Sequence, residues 1–333
     1  MRFSVRFNND LPVRRYAELA QHAEQVGFDT FWVSDDLFLR NVWVILSAVA
    51  QQTERIQLGT CIVNPFTQHP AEIAMAAATL DELSGRRALL GISSGADDFL
   101  GWIGLRPERP VAAVAETIDG LRRLFDGERC HPDGRFIAGW TSEAYLRFET
   151  LRRVPIYVGA MSPRMLELIG STADGGLPLL FPPEHFAEVL QHVRRGAVRT
   201  GRDLSTIDVA ACIWCSVSSD RVAAERALRE KIAYYGHSLS PLILQRLGVE
   251  RAEFEPISRA VNVEGNPERA MAMVTPAMLR IGVAGSAAEL IPRLEYLVGL
   301  GARHLSFGPP LGPDPHKAIE VLGREVLPRF RSV

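Results

Sequence analysis

The sequence predicts an α/β protein folded as a closed (β/α)8 TIM barrel with insertions. Two observations carry that expectation: short, almost continuously apolar segments of strand length alternate with amphipathic segments of helical spacing, and the alternation occurs eight times along 333 residues. Strands apolar on both faces belong in a parallel sheet covered by helices. Eight such units favour a closed barrel over an open doubly wound sheet. A barrel core needs ~250 residues, so the remaining ~80 fit two irregular stretches read as insertions in one domain.

The elements follow in order. "RFSVRF" is a short strand, and in "LPVRRYAELAQHAEQVG" Tyr16, Leu19, Ala20, Ala23 and Val26 recur at helical spacing before Gly27 supplies a stop. A strand over 29–33 starts at once. Then come helix "NVWVILSAVAQQ", strand "RIQLGTCIV", helix "HPAEIAMAAATLDELSG", strand "RALLGIS" and helix "VAAVAETIDGLRRLFDG". Four units thus fall before residue 128, where the first irregular stretch, 128–154, begins. The alternation resumes with strand "PIYVGA", helix "SPRMLELIGSTA", strand "GGLPLLF", helix "PEHFAEVLQHVRRGAVRTG" and strand "IDVAACIWCSV". A helix opens at Asp220, and the second insertion runs over about 236–276. Helix "SAAELIPRLEYLVGLG", strand "RHLSFGPP" and a last helix through Phe330 complete the count of eight.

Composition narrows the partners. The formal net charge is −2 with acids and bases interspersed, so no basic stripe of the kind that tracks nucleic acid is present. A small-molecule partner is expected. No signal-like apolar segment opens the chain, and the apolar run Ala74–Leu80 is far short of a membrane span. A cytoplasmic protein without membrane contact is expected. Cys61, Cys130, Cys212 and Cys215 are few and scattered, which suits a reducing compartment. The "CIWC" pair lies on a predicted strand, where an offset of three sends Cys212 and Cys215 to opposite faces, and it reads as two packed thiols. No spacing of a metal site is found. Lys231 and Lys317 are the only lysines, a bias that reads as compositional.

Chemistry on a parallel barrel gathers in the loops at the C-terminal ends of the strands, which here are "SDDLFLRN", "VNPFTQHP", "SSGADDFLGW", "GAMSPRM", "PLLFPPEH" and "GPPLGPDP". In "GAMSPRM", Gly159 and Ala160 permit close backbone approach, Ser162 can cap the next helix and Pro163 suits its first turn; the free amides can hold an anion, or the segment is a plain turn. "GISSGADD", with Ser94 and Gly95, is equally permissive but lacks a phosphate-loop lysine. Asn64 before Pro65 reads as a turn, and His69 before Pro70 as a cap or surface residue. Asp35 and Asp36 are adjacent, so their side chains diverge and make a poor metal pair.

Taken together, "GFDTFWVSDDLFLRNVWVILSAVA", "RIQLGTCIVNPFTQHPAEIAMAAATLDELSGRRALLGI", "PVAAVAETIDGLRRLFDGE", "PIYVGAMSPRMLELIGSTADG" and "LSFGPPLGPDPHKAIEVLG" resemble the luciferase-like (β/α)8 oxidoreductases. Within them the chain is most similar to the coenzyme F420-dependent branch and its methylenetetrahydromethanopterin reductases. The resemblance implies a deazaflavin across the C-terminal mouth that passes a hydride from C5 to a bound substrate, and a homodimer paired through the helices of "NVWVILSAVA" and "AEIAMAAATL". It implies a non-prolyl cis peptide at Cys61–Ile62 behind the ring, Asn64 close to the cofactor, and Gly159, Ala160, Met161 and Ser162 at its phosphate. Ser94 and Gly95 join the cofactor loops.

Asp35 matches the acid of the family's Ser/Thr-Asp-His strand end, while Asp36 stands where histidine is usual. Arg6 stands where the reductases carry a glutamate. An ordinary aspartate is ionised at neutral pH and serves as a base unless its pKa is raised. A guanidinium gives up no proton there; Arg6 is left to pair with Asp35 or Asp36, or to bind an anionic substrate. The expected function is F420-dependent oxidoreduction with Asp35, Asp36 and Arg6 as catalytic candidates. The alternatives are an FMN-dependent monooxygenase on the same fold and a non-catalytic flavin-binding relative.

Overall fold

The computed structural model describes residues 1–129 and 134–331. Its elements are β1 (Arg2–Phe7), α1 (Val13–Val26), β2 (Thr30–Val33), α2 (Val42–Ala50), β3 (Gln57–Thr60), α3 (Pro70–Ser84), β4 (Ala88–Ile92), α4 (Asp97–Trp102), α5 (Pro110–Phe125), β5 (Ile156–Ala160), α6 (Pro163–Thr172), β6 (Gly175–Pro178), α7 (Phe186–Arg199), β7 (Asp208–Val217) and α8 (Arg221–Tyr235). The second insertion carries four short helices, α9 (Pro241–Leu247), α10 (Glu255–Asn262), α11 (Pro267–Ala272) and α12 (Pro276–Leu279). After β8 (Val283–Gly285) come α13 (Ala287–Gly299), β9 (His304–Leu311) and α14 (Pro315–Val321).

Every strand pairing is parallel, and the order β6-β5-β4-β3-β2-β1-β9-β7 closes through a further β6–β7 pairing. Eight strands therefore form the barrel. A ninth, β8, pairs with β7 alone, outside the ring; three residues are too few for any periodicity, and the sequence reading passes over it. α4 is likewise a single short helix inside a loop. β3 stops at Thr60, three residues before its expected end; the Cys61–Ile62 peptide that follows is cis, and Val63 still makes a parallel bridge to Ile92 of β4. Cys130 and residues 131–133 of the first insertion lie outside the described residues, and 134–154 carries no helix or strand.

The local signals act as sequence chemistry dictates. Gly27 ends α1 in the left-handed conformation at φ 95°, Asn41 caps α2 by accepting from the amides of Trp43 and Val44, and Pro163 occupies the first turn of α6 behind the Ser162 cap. Along β1 the alternation splits the chain's load: Phe3, Val5 and Phe7 enter the core between barrel and helices, while Ser4 and Arg6 are also buried, off that cluster.

The barrel axis is filled in layers. At the N-terminal end Asp208 accepts from Arg2 Nη1 at 2.9 Å and Tyr157 Oη at 2.8 Å and lies 3.0 Å from His304 Nδ1; His304 Nε2 reaches Ser4 Oγ at 2.8 Å, and Ser4 donates to Ser306 at 2.8 Å. Above this polar knot Trp32, Leu89, Tyr157, Leu177, Ala210 and Cys212 form an apolar cluster. Trp32 has room because Gly59 faces it: a Cβ there would stand 2.1 Å from the indole ring. Cys212 belongs to this interior cluster and Cys215 to the helix-side core. No group of metal-binding geometry occurs among the described residues.

Burial opposes the charge of Asp208, but His304, Arg2 and Tyr157 together hold its carboxyl well below the usual carboxylate range. A depressed folded pKa contributes stability above the ordinary carboxylate pKa and loses it as pH falls through the folded value. Asp208→Ala is expected to cost about 3 kcal/mol at neutral pH, since it strands buried partners, and the cost should shrink in acid. Urea unfolding at two pH values checks this; equal stability of variant and parent at neutral pH would refute it.

Candidate active site

The C-terminal ends of the strands open onto a cavity of about 1530 Å³ whose walls come from the loops after β1, β2, β4 and β9 and from α8. The β2–α2 loop is pinned from below by Asn9, which donates to the carbonyls of Asp36 and Arg40 at 3.0 and 2.7 Å and accepts from the Asp36 amide at 3.1 Å. That clamp sets the direction of the two adjacent acids. Asp36 turns to the cavity wall and accepts from Ser34 Oγ at 3.2 Å. Asp35 turns toward the β3–α3 loop, where Gln68 Nε2 donates to it at 2.5 Å while Gln68 Oε1 accepts from Trp43 Nε1 at 2.8 Å. The indole N–H fixes the amide so that its donor end meets Asp35.

Both acids are lifted from the ordinary range. Burial pushes Asp35 up to about 6; the Gln68 bond works against the rise and the Asp36 charge adds to it. Burial also raises Asp36, opposed by Lys231 and Ser34. Asp35, at about 6, therefore holds a proton closer to neutral pH than an unperturbed aspartate does, and burial shifts Asp36 in the same direction.

Arg6 departs from the expectation that it pairs with Asp35 or Asp36. Its Nη2 donates to the carbonyl of Ile213 at 2.8 Å, its buried Nε has no partner, and it makes no ion pair with either acid among the described residues. Gly308 makes its space, since a Cβ there would lie 2.2 Å from Nη2. The guanidinium lies deep in the barrel near the thiols, where burial raises Cys61 to about 12 and the Arg6 charge opposes the rise. Depth separates them: Arg6 is buried on β1 inside the barrel wall, and the acids sit in the loop beyond the end of β2.

The cofactor candidates converge on one side of the mouth. Ile62, on the cis Cys61–Ile62 peptide, stands 2.9 Å from the place a Cβ on Gly159 would take. Ser93 donates to the Gly159 carbonyl at 2.7 Å, and Gly95, at φ 77°, backs onto the Asn64 side chain. Asn64 is buried and accepts from the amides of Phe66 and Thr67 at 3.1 and 3.0 Å, so it is a turn residue whose side chain shapes the loop. Ser94 is half-buried and bonds weakly to the Gly95 carbonyl at 3.4 Å. Ala160 is buried, while Met161 and Ser162 are exposed, and Ser162 Oγ caps α6. His69 caps α3, accepting from the Ala71 amide at 3.2 Å.

Sequence reasoning passed over Lys231. It lies on α8 at the cavity wall, with Nζ 3.4 Å from Asn8 Oδ1 and 3.7 Å from the centroid of the Tyr235 ring. The available signal was rarity, one of two lysines among 37 Lys and Arg residues. An aromatic rim of Phe38, Phe99 and Trp102 was also missed; the helix carrying the last two has no sequence pattern.

Comparison with known proteins places this geometry among relatives. The sequence profile of luciferase-like monooxygenases matches residues 1–304. The 5,10-methylenetetrahydromethanopterin reductase of Methanolobus tindarius is 32% identical over 98% of this chain and 100% of its own. An F420-dependent glucose-6-phosphate dehydrogenase of Nakamurella multipartita is 29% identical over 95% of this chain and 92% of its own. The solved coenzyme F420-dependent tetrahydromethanopterin reductase of Methanopyrus kandleri superposes with a TM-score of 0.92 at 28% identity, covering 99% of both chains.

The raised Asp35 pKa has a thermodynamic sign. The native state holds that proton more tightly than the unfolded chain, so stability falls as pH rises from 3.8 to about 6. Asp35→Asn is expected to be more stable than the parent above that window by on the order of 1 to 2 kcal/mol, allowing for partial solvent access, with the difference closing in acid. Unfolding midpoints across the range measure it, and a gap independent of pH would remove the assignment.

Proposed function

This chain belongs to the luciferase-like monooxygenase family, and on that premise we propose that it is a coenzyme F420-dependent oxidoreductase moving a hydride between the deazaflavin and a small organic substrate. The observation that carries the reading is the end-to-end likeness to relatives named for F420-dependent chemistry. The loops present fit such a group. Gly159 leaves a shelf beside Ile62 that a side chain would fill, and the buried Thr67 hydroxyl one loop away has no protein partner. Ile62, Asn64, Ser94, Gly95, Gly159 and Ala160 would hold the ring side, and Met161 with Ser162 the phosphate side at the start of α6.

When bound, the cofactor supplies a two-electron hydride donor or acceptor at its C5. The protein's own residues supply position and protons. Asp36 faces the cavity with a proton affinity raised by burial, and Asp35, held by Gln68, braces the same loop. Arg6 brings fixed positive charge to the barrel interior, which would disfavour a cationic iminium substrate and favour a neutral or anionic one. A cytoplasmic setting suits the free thiols Cys61, Cys212 and Cys215, and no helix of the described residues is long and apolar enough to cross a membrane.

The protein is further read as a homodimer. α2 and α3 bury one face on the barrel yet expose Val44, Met75 and Leu83, apolar side chains suited to covering by a second copy. Val44→Glu with Met75→Glu is expected to convert a dimer to a monomer in sedimentation equilibrium; a wild-type monomer at micromolar concentration would end the reading.

Parallel equilibrium titrations with F420 and FMN test the cofactor. Micromolar binding of F420 without binding of FMN is expected. Preference for FMN would instead favour oxygen chemistry, and binding of neither would favour a non-catalytic relative.

A further inference from the structure

The cavity wall holds one group that the reading above leaves without a task. Lys231 projects from α8 over Tyr235 and toward Trp214, its Nζ 5.5 Å from the Trp214 ring. Asn8 fixes the approach: its Nδ2 donates to the Tyr235 hydroxyl at 3.0 Å, which leaves Oδ1 facing the ammonium at 3.4 Å. An ammonium has three donors and takes no acceptor role. Lys231 makes no salt bridge among the described residues, so N–H groups remain for a molecule in the cavity.

We propose that Lys231 is the proton donor of the site, giving its ammonium proton to the heteroatom of a carbonyl or imine acceptor bound in the mouth cavity, with Asp36 as its charge partner. The proposal rests on the oxidoreductase reading and adds the acceptor class. In the reductive direction the hydride comes from the reduced deazaflavin, which is oxidised. The acceptor carbon gains that hydride, the C=O or C=N π pair moves to the heteroatom, and the heteroatom takes the proton from Nζ. The neutral amine then recovers a proton from water in the open cavity.

Asp35 and Tyr235 are worse placed. Asp35 does not line the cavity and is engaged by Gln68. Burial raises the Tyr235 hydroxyl to about 12, too weak an acid near neutrality. The groups facing Lys231 are Arg6 from β1, Asp10 beyond it, Asp36 after β2 and Tyr235 on its own helix; Glu230, His237, Asp97 and Asp98 line the same cavity. Burial lowers Lys231 to about 8, with Asp36 and Asp10 opposing the fall and Arg6 adding to it. At neutral pH the amine is thus charged and close to the acidity that favours transfer.

Two measurements test the proposal on the full-length protein. Competitive acylation with acetic anhydride, read by mass spectrometry, reports the titration of Lys231 against exposed Lys317, the only other lysine. Half-reaction near pH 8 is expected, and Asp36→Asn should move it lower; an ordinary lysine profile for Lys231 overturns the proposal. Reduction of cyclohexanone and of 1-pyrroline by reduced F420 is then followed in the parent, Lys231→Met and Lys231→Arg. Both variants are expected to lose about 100-fold in rate with F420 affinity and KM kept, and to lose the alkaline limb of the parent's pH profile. Restoration of rate by Lys231→Arg would show a role for charge alone and overturn proton donation. F420 bound without reduction of either probe overturns the acceptor class, whereas a parent that binds no F420 overturns the oxidoreductase reading and this proposal with it.

Discussion

Trp32 fits the barrel axis because Gly59 gives it the space of a side chain, and that single fit divides the molecule into a sealed end and a working end. With Tyr157, 5.2 Å away edge-on, Trp32 caps the apolar layer. Below it, the knot around Asp208 satisfies the polar groups of β1, β5, β7 and β9 among themselves. Above it, glycines and small residues leave the strand ends uncrowded, and the loops are free to carry chemistry.

Desolvation links the groups at the working end. It raises Asp35 and Asp36 and lowers Lys231, in each case against the charged form. The charges then moderate one another: Lys231 lowers Asp36, and Asp36 raises Lys231. Burial thus draws Asp35, at about 6, and Lys231, at about 8, toward neutral pH, where each can pass a proton, and it shifts Asp36 upward. Asn9 and Asn8, consecutive residues just after β1, make this possible, the first by clamping the acid loop and the second by directing the lysine.

The loops proposed to hold the cofactor and the groups proposed to handle protons are built from different parts of the ring. Ile62, Asn64 and Gly95 come from the loops after β3 and β4 and Gly159 from the end of β5, whereas Asn8 and Asp36 come from the loops after β1 and β2 and Lys231 from the helix after β7. Gln68 joins the two, since its amide reaches from the β3–α3 loop to Asp35. The loops proposed for the cofactor and the groups that line the mouth cavity can therefore vary independently. The deep seat of Arg6, bonded to the Ile213 carbonyl, makes it part of the barrel's electrostatic floor rather than a partner of the acids.

The order of strands and helices, the barrel class, the caps at Gly27 and Ser162, and the loops that carry the site were legible in the sequence, because periodicity and capping are local properties of the chain. β8 and α4 were not, because three to six residues carry no period. The site was half legible. Asp35, Asp36 and the Gly159 turn stand at strand ends, where their place in the pattern marks them. The sequence by itself determined which segments become strands and which residues reach the mouth. Only the tertiary structure decided that Asp35 turns to Gln68, that Arg6 misses the acids and that Lys231, nearly 200 residues beyond Asp36, shares its cavity. The physical reason is that closing the ring through β1–β9 and β6–β7 brings distant strand ends together, and burial at that junction, which no local pattern encodes, sets the charge each group carries.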